Sequence, residues 1–131
     1  MRSMAFRWSA GAGFLAVALG AFGAHGLKEL LERQGTTAIW ETAVFYHLIH
    51  AVVLSGLAWG TPWRRGAWIC FAAGVVIFSG TLYVLALTGM RWLGAITPLG
   101  GVGLLAGWAW LAIAGLGRRE EGEERRGSGG D

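Results

Sequence analysis

Charged side chains are scarce in this sequence and unevenly placed. They make up 15 % of its 131 residues, whereas 54 % of the residues are hydrophobic. Because a soluble domain carries about 25 % charged residues, this balance excludes an ordinary water-soluble fold. Four runs of at least 20 residues contain no Asp, Glu, Lys or Arg, namely residues 8–27, 42–63, 66–90 and 92–117. Each run is long enough to cross a hydrocarbon core of about 30 Å as a helix.

Cysteine and catalytic motifs are also nearly absent. The single cysteine, Cys70, lies inside an apolar run, so an intramolecular disulfide is excluded. A thiol surrounded by hydrocarbon ionises poorly, and we interpret Cys70 as a small packing residue. No HExxH motif, nucleophile elbow or phosphate-binding glycine loop after a strand occurs. We therefore expect no enzymatic activity and no catalytic residue.

The uncharged runs predict an all-α integral membrane protein. Gly60 and Pro62 end the second helix, and Pro98 suits the first turn of the last one. The segment 27–35 is typical of a short interfacial helix that ends at Gly35. The predicted transmembrane helices cover about 8–26, 37–60, 66–88 and 98–117, so residues 1–117 form one four-helix bundle domain. The charged, glycine-rich segment 118–131 is expected to be a disordered cytoplasmic tail.

The first apolar run resembles a signal peptide, because Arg2 and Arg7 precede it and small residues near Ala21 suit a cleavage site. The run is nevertheless long enough to span a membrane. A small residue also recurs at every fourth position, at Ala12, Ala16, Gly20 and Ala24, which is typical of a helix-packing face. We expect this helix to be retained and to pack against the second helix.

The positions of the cations predict an orientation. Of the 11 Lys and Arg residues, only Lys28, Arg33 and Arg91 fall on the side of the first and third connections. The positive-inside rule therefore places both termini in the cytoplasm. Although the pI is about 9.8, the cations lie at helix ends and not on one face. They indicate contact with lipid headgroups, and we expect no nucleic-acid partner.

Polar residues inside the spans are concentrated in the second helix. On a helical wheel Tyr46, His47 and His50 share one face, and Glu41 points the other way. His25 closes the first helix on the membrane side where the second begins. The candidate polar cluster therefore comprises His25, Glu41, Tyr46, His47 and His50, with its Tyr46 and histidine face directed inward against the first helix.

Three functions fit such a cluster. Imidazole and phenol groups can relay protons in a small transporter or ion conduit, with Glu41 at the outer mouth. A metal or haem site would use His25 with His47 or His50, but too few ligands are present, so we expect no metal and no cofactor. The third function is structural, because each bond that ties helices together contributes about 0.6–2 kcal/mol. We favour the structural function, with Glu41 placed near the positive end of its helix dipole. The tryptophans, Trp40 included, are interpreted as interfacial anchors.

Four segments carry a family resemblance: GAFGAHGL at 20–27, YHLIHA at 46–51, FSGTLYVLALTG at 78–89 and GAITPLGGVGLLAGW at 94–108. Over about residues 10–110 the chain resembles the domain-of-unknown-function 423 family of small four-helix membrane proteins, also described as YgdD-like or transmembrane-protein-256-like. The family's recurring positions map onto Gly20, Gly23, His25, Gly26, Tyr46, His50, Ser79, Gly80, Tyr83, Thr97, Pro98 and Gly101.

The resemblance implies a multi-pass protein of the bacterial inner membrane or a eukaryotic membrane, with no established activity, substrate or cofactor. Together with the polar cluster, it favours a structural or accessory component of the bacterial inner membrane. Such a component has the lipid bilayer as its surroundings and either a second copy or an unidentified membrane protein as its partner.

Overall fold

The computed structural model describes the backbone of residues 1–127 and the side chains of residues 1–115. Within that part the chain is helical and contains no strand. The helices are α1 (Arg2–Ala24), α2 (Lys28–Gln34), α3 (Thr37–Trp59), α4 (Arg65–Thr88) and α5 (Thr97–Gly127), with a 3-10 helix at Arg91–Ala95. Four segments are long and apolar enough to cross a membrane: α1, α3, α4 and Arg91–Gly115. The predicted all-α membrane architecture is confirmed.

The first helix begins at Arg2 and not at residue 8 as predicted. Its early start is explained by Arg2, whose Nε donates a hydrogen bond to the carbonyl oxygen of Ala58 at 3.0 Å. The guanidinium also donates to the carbonyl oxygens of Trp59 and Gly60. The last carbonyls of a helix have no partner within it and carry partial negative charge, so a cation stabilises them. The N-terminus of α1 therefore caps the C-terminus of α3.

Two other helix ends follow from local chemistry. The short helix α2 ends at Gly35, whose φ of 66° lies in the left-handed region that glycine adopts without strain. The last helix continues as far as Gly127, beyond the predicted end at 117. This extension is rich in Glu and Arg, which favour helix. Residues 118–127 of the predicted disordered tail are thus helical, whereas residues 128–131 lie outside the described part, and for them disorder stays a prediction.

The two central helices are α3 and α4. Helix α3 packs against α1 and α4, and α5 packs against α4. Across the described residues, α1 makes no backbone contact with α4 or α5, and α3 makes none with α5. Side chains bridge two of these pairs, because Trp68 reaches from α4 to Ser9 in α1 and Trp108 reaches from α5 to His50 in α3. The spanning helices are thus arranged in the order α1, α3, α4, α5, and each packs against the next.

Glycines bring α4 and α5 into close contact. A Cβ atom added at Gly103 would lie 3.1 Å from the Cα of Gly74, and one at Gly107 would lie 2.8 Å from the ring of Phe71. At Gly100 the added atom would meet the backbone of Phe78, which has no flexible end to move aside. Small residues let transmembrane helices approach closely and gain van der Waals contact. In the sequence, Gly103 and Gly107 form a GxxxG pair, a spacing that is typical of helix packing, and the structure confirms this role.

The small-residue face of α1 differs in part from the predicted one. Ala16 is fully buried, and Gly20 lies against Val44 of α3. Ala24, however, is exposed, and Gly23 takes its place by accommodating the indole of Trp40. The prediction that Tyr46, His47 and His50 face this surface was wrong for Tyr46 and His50, whose rings lie on the side of α3 that faces α4 and α5. His47 does lie beside α1.

A glycine substitution tests the contact between α4 and α5. We expect Gly100→Ala to lower the free energy of unfolding by about 1–3 kcal/mol, because the new methyl group overlaps the α4 backbone. Gly115→Ala is the matched control, since it lies in the same helix with nothing within 4 Å. The measurement is the unfolding midpoint in SDS titrations of the full chain. Equal midpoints for the two variants would contradict the described packing.

Candidate functional site

His50 is buried at the junction of α3, α4 and α5, with 5 % of its surface exposed. Its Nδ1 lies 2.7 Å from the carbonyl oxygen of Tyr46, one turn earlier in the same helix. A carbonyl oxygen only accepts, so Nδ1 must carry the ring proton. The other nitrogen, Nε2, is then free to accept, and the indole Nε1–H of Trp108 donates to it at 3.3 Å. These two bonds together assign His50 as the neutral Nδ1–H tautomer.

Aromatic rings enclose the His50 imidazole. The ring of Tyr46 stacks on it with centroids 6.0 Å apart, and the Phe71 and Trp108 centroids lie at 5.6 Å and 6.2 Å. Because both nitrogens are already bonded to protein groups, neither is left for a metal ion or a proton donor. The arrangement therefore ties α3 to α5 across α4, and this is what its chemistry supports best.

His47 has different surroundings, although it lies only one turn away. Its Nδ1 is 3.2 Å from the hydroxyl oxygen of Tyr83 in α4, and 6 % of its surface is exposed. Its Nε2 has no protein partner among the described residues. No fully buried side-chain nitrogen or oxygen in that part of the chain lacks a hydrogen bond. Nε2 must therefore be reachable from outside, through the groove that His47 lines.

This groove, hereafter the α1–α4 groove, has a volume of about 720 Å³ and runs between α1 and α4 with α3 as its floor. It is open along its length, because lining residues such as Trp8 and Val76 are largely exposed. Nearly all of its surface is apolar. The polar lining side chains are Arg7, His47, Trp68, Ser79 and Tyr83.

The five predicted cluster residues do not come together as one group. His47 and His50 are buried, and Tyr46 is partly exposed with its ring 4.5 Å from that of Phe78. His25 and Glu41 are exposed, and neither side chain makes a hydrogen bond within the described part. His47 faces the groove and His50 faces the α4–α5 side, so the two histidines belong to separate environments. A functional role for any of the five stays a prediction.

Three tryptophans contribute hydrogen bonds that the sequence did not reveal. Trp40 is 3 % exposed and donates to the carbonyl oxygen of Leu19 at 3.0 Å, so its interpretation as an interfacial anchor was wrong. Trp68 donates to the hydroxyl of Ser9 at 3.1 Å, and Trp108 donates to His50. An indole N–H within a span needs an acceptor, so a tryptophan inside an apolar run is the sequence feature from which these hydrogen bonds could have been predicted.

Hydroxyl groups provide further links between helices. Ser79 of α4 donates to the carbonyl oxygen of Ala43 in α3 at 2.9 Å. Thr36, which precedes α3, donates to Ala86 of α4 at 2.8 Å. The hydroxyls of Thr81 and Thr97 lie 2.8 Å apart between α4 and the start of α5. Within residues 1–115, no three His, Cys, Asp or Glu side chains are grouped so as to hold a metal ion.

The fold and these contacts define a small multi-pass helical membrane protein whose helices are joined by side-chain hydrogen bonds. The family model described as "Protein of unknown function (DUF423)" matches residues 19–101. The chain belongs to this family.

Relatives from several bacteria agree with the family assignment. The chain is 42 % identical to the UPF0382 membrane protein YwdK of Bacillus subtilis, over 78 % of this chain and 87 % of the relative. It is 47 % identical to a UPF0382 membrane protein of Staphylococcus epidermidis, over 78 % of this chain and 86 % of the relative. It is 38 % identical to the UPF0382 inner membrane protein YgdD of Escherichia coli, over 84 % of this chain and 87 % of the relative. No solved structure matches the chain.

Proposed function

We propose that the protein is a structural or accessory component of the membrane and not a conduit or an enzyme. The observation that carries this proposal is the hydrogen bonding of His50, whose two ring nitrogens are both bound by protein groups. A residue used in this way stabilises the relative positions of α3 and α5. It offers no free atom to a substrate or an ion.

The arrangement of the other polar groups supports the same proposal over a proton path. His47 and His50 make no hydrogen bond to each other, and the partner of His50 Nε2 is an indole N–H, which donates but does not accept. Glu41 and His25 are exposed and far along the helices from His50. A relay needs groups that both accept and donate in sequence. In the described spans the polar groups do not form such a continuous series of donors and acceptors.

The surface suits a component that acts through lateral contacts in the bilayer. Large apolar side chains are exposed along each spanning helix, for example Phe14, Val52, Val76 and Leu105. In the membrane these residues contact lipid, and any protein partner binds there as well. We propose a second copy or another membrane protein as that partner.

We further propose that the protein lies in the bacterial inner membrane with both termini in the cytoplasm. The name of the Escherichia coli relative supports the location, and the distribution of Lys and Arg supports the orientation. We expect alkaline phosphatase fused after residue 120 to be inactive and green fluorescent protein fused there to be fluorescent. The same fusions after residue 34 of truncated chains serve as the control and should behave in the opposite way. An active phosphatase at residue 120 would contradict the orientation.

A flux measurement separates the structural proposal from a conduit. We expect the full chain in liposomes to conduct protons no faster than protein-free liposomes between about pH 5 and 8, where histidine ordinarily titrates. His50→Phe should leave flux unchanged and lower the SDS unfolding midpoint, because the indole of Trp108 loses its acceptor. Trp59→Phe, at an exposed position, is the control for exchanging one aromatic ring for another. A pH-dependent flux that His50→Phe abolishes would instead establish a conduit.

A further inference from the structure

The α1–α4 groove is wide because small residues form parts of both walls. On the α1 side it is lined by Gly11 and Ala12, and on the α4 side by Ala72 and Gly80. A Cβ atom added at Gly11 or Gly80 would meet nothing within 4 Å. Elsewhere in the bundle, by contrast, glycines such as Gly100 are in contact with a neighbouring helix. The small residues of the groove therefore leave space for something other than a helix of this chain.

The inner part of the groove contains a hydrogen-bond donor without an acceptor. If the Tyr83 hydroxyl donates to His47 Nδ1, the ring proton lies on Nε2 and faces the groove. If Nδ1–H donates to Tyr83 instead, the phenol hydrogen has no acceptor. Both tautomers thus leave one N–H or O–H unpaired among the described residues. An unpaired donor surrounded by hydrocarbon is costly, so an occupant with an acceptor oxygen would be favoured.

The depth of this donor restricts the occupant. His47 is ten residues into α3, which corresponds to about 15 Å of helix and thus to the middle of a core of about 30 Å. A phosphate or another charged headgroup at that depth would be strongly disfavoured. The acceptor therefore has to be an uncharged carbonyl or ether oxygen on an apolar molecule.

We propose that the α1–α4 groove binds an isoprenoid quinone, with a ring carbonyl oxygen at His47 and Tyr83 and the hydrocarbon tail along the apolar walls. A quinone combines an uncharged acceptor oxygen with a long apolar tail and reaches the groove from within the bilayer. This inference goes beyond the structural function proposed above, which depends on His50. It concerns binding only and includes no redox step.

Other occupants fit the groove less well. The acyl chain of a phospholipid would fill the apolar part, but its ester oxygens stay near the headgroups and leave the donor unpaired. A helix of a second copy would have to bring an acceptor to the same depth. Arg7 is the only charged residue lining the groove, and it belongs to the N-terminal part of α1. It lies at the opposite end from Leu19 and, by its helix position, away from the proposed quinone ring.

The test measures binding of decylubiquinone to the full chain in phosphatidylcholine nanodiscs, followed by quenching of tryptophan fluorescence. Trp40, whose ring centroid lies 4.8 Å from that of Tyr83, is the reporter beside the proposed quinone ring. Decylbenzene, which lacks the carbonyl oxygens and does not quench tryptophan, is the comparison ligand, and its binding is measured by competition with the quinone. We expect saturable quenching by the quinone. Gly80→Leu, which fills the groove, should weaken binding by at least about tenfold, equivalent to about 1.4 kcal/mol.

Gly56→Leu is the matched control, because it is also a glycine of a spanning helix with nothing within 4 Å but does not line the groove. It should bind quinone as the unmodified chain does. Tyr83→Phe should weaken quinone binding by about 3- to 10-fold, as expected for one hydrogen bond, and leave the affinity of the competitor decylbenzene unchanged.

Several results would overturn the proposal. One is quenching that does not saturate, or that Gly80→Leu and Gly56→Leu affect equally. Another is equal binding of quinone and decylbenzene, which would indicate a groove filled by lipid chains. A third is a disulfide between a Gly11→Cys copy and a Gly80→Cys copy, both carrying Cys70→Ser, which would show that a second copy occupies the groove. None of these results bears on the hydrogen bonds of His50. The quinone-binding proposal can therefore fail while the structural proposal stands, and the reverse.

Discussion

The bonds of the His50 imidazole are the interaction on which the arrangement of the bundle depends. Helices α3 and α5 make no backbone contact, and the Trp108 indole joins them through that ring. The carbonyl oxygen of Tyr46 fixes the tautomer that makes Nε2 an acceptor. In a bilayer the alternative to such a bond is an unpaired polar group in hydrocarbon, which raises the cost of any other arrangement. The position of the His50 ring and its tautomer are therefore consequences of one constraint.

The same constraint explains why polar side chains are spread over the bundle. Ser79 bonds α4 to α3, Trp40 bonds α3 to α1, and Arg2 caps the C-terminus of α3. Glycine contacts such as Gly103 against Gly74 then bring α4 and α5 close together. The α1–α4 groove is the exception, because there the walls stay apart and one donor of the His47–Tyr83 pair is unpaired. The His50 contacts and the candidate ligand site thus lie on adjacent sides of α3, one towards α4 and α5 and the other towards α1 and α4.

Much of this fold could be predicted from the sequence, because span length and the absence of charge depend on local composition. Gly35 and the Gly103–Gly107 spacing likewise indicated their roles directly. The start of α1 could not be predicted, since it depends on carbonyl groups of α3 that are distant in sequence from Arg2. A helical wheel placed His47 and His50 on one face, but it does not show which neighbouring helix each ring meets. Separating the two histidines required the positions of Tyr83 and Trp108.

The most direct test of the structural account is the protonation of the His50 ring, measured by nitrogen-15 NMR on the histidine-labelled full chain in nanodiscs. The account predicts a protonated Nδ1 and an unprotonated Nε2. The Nε2 signal should shift in Trp108→Phe, because the indole no longer donates to it, and should stay in place in Trp110→Phe, whose indole makes no hydrogen bond within the described part. A protonated Nε2, or a signal that Trp108→Phe leaves unchanged, would contradict the account.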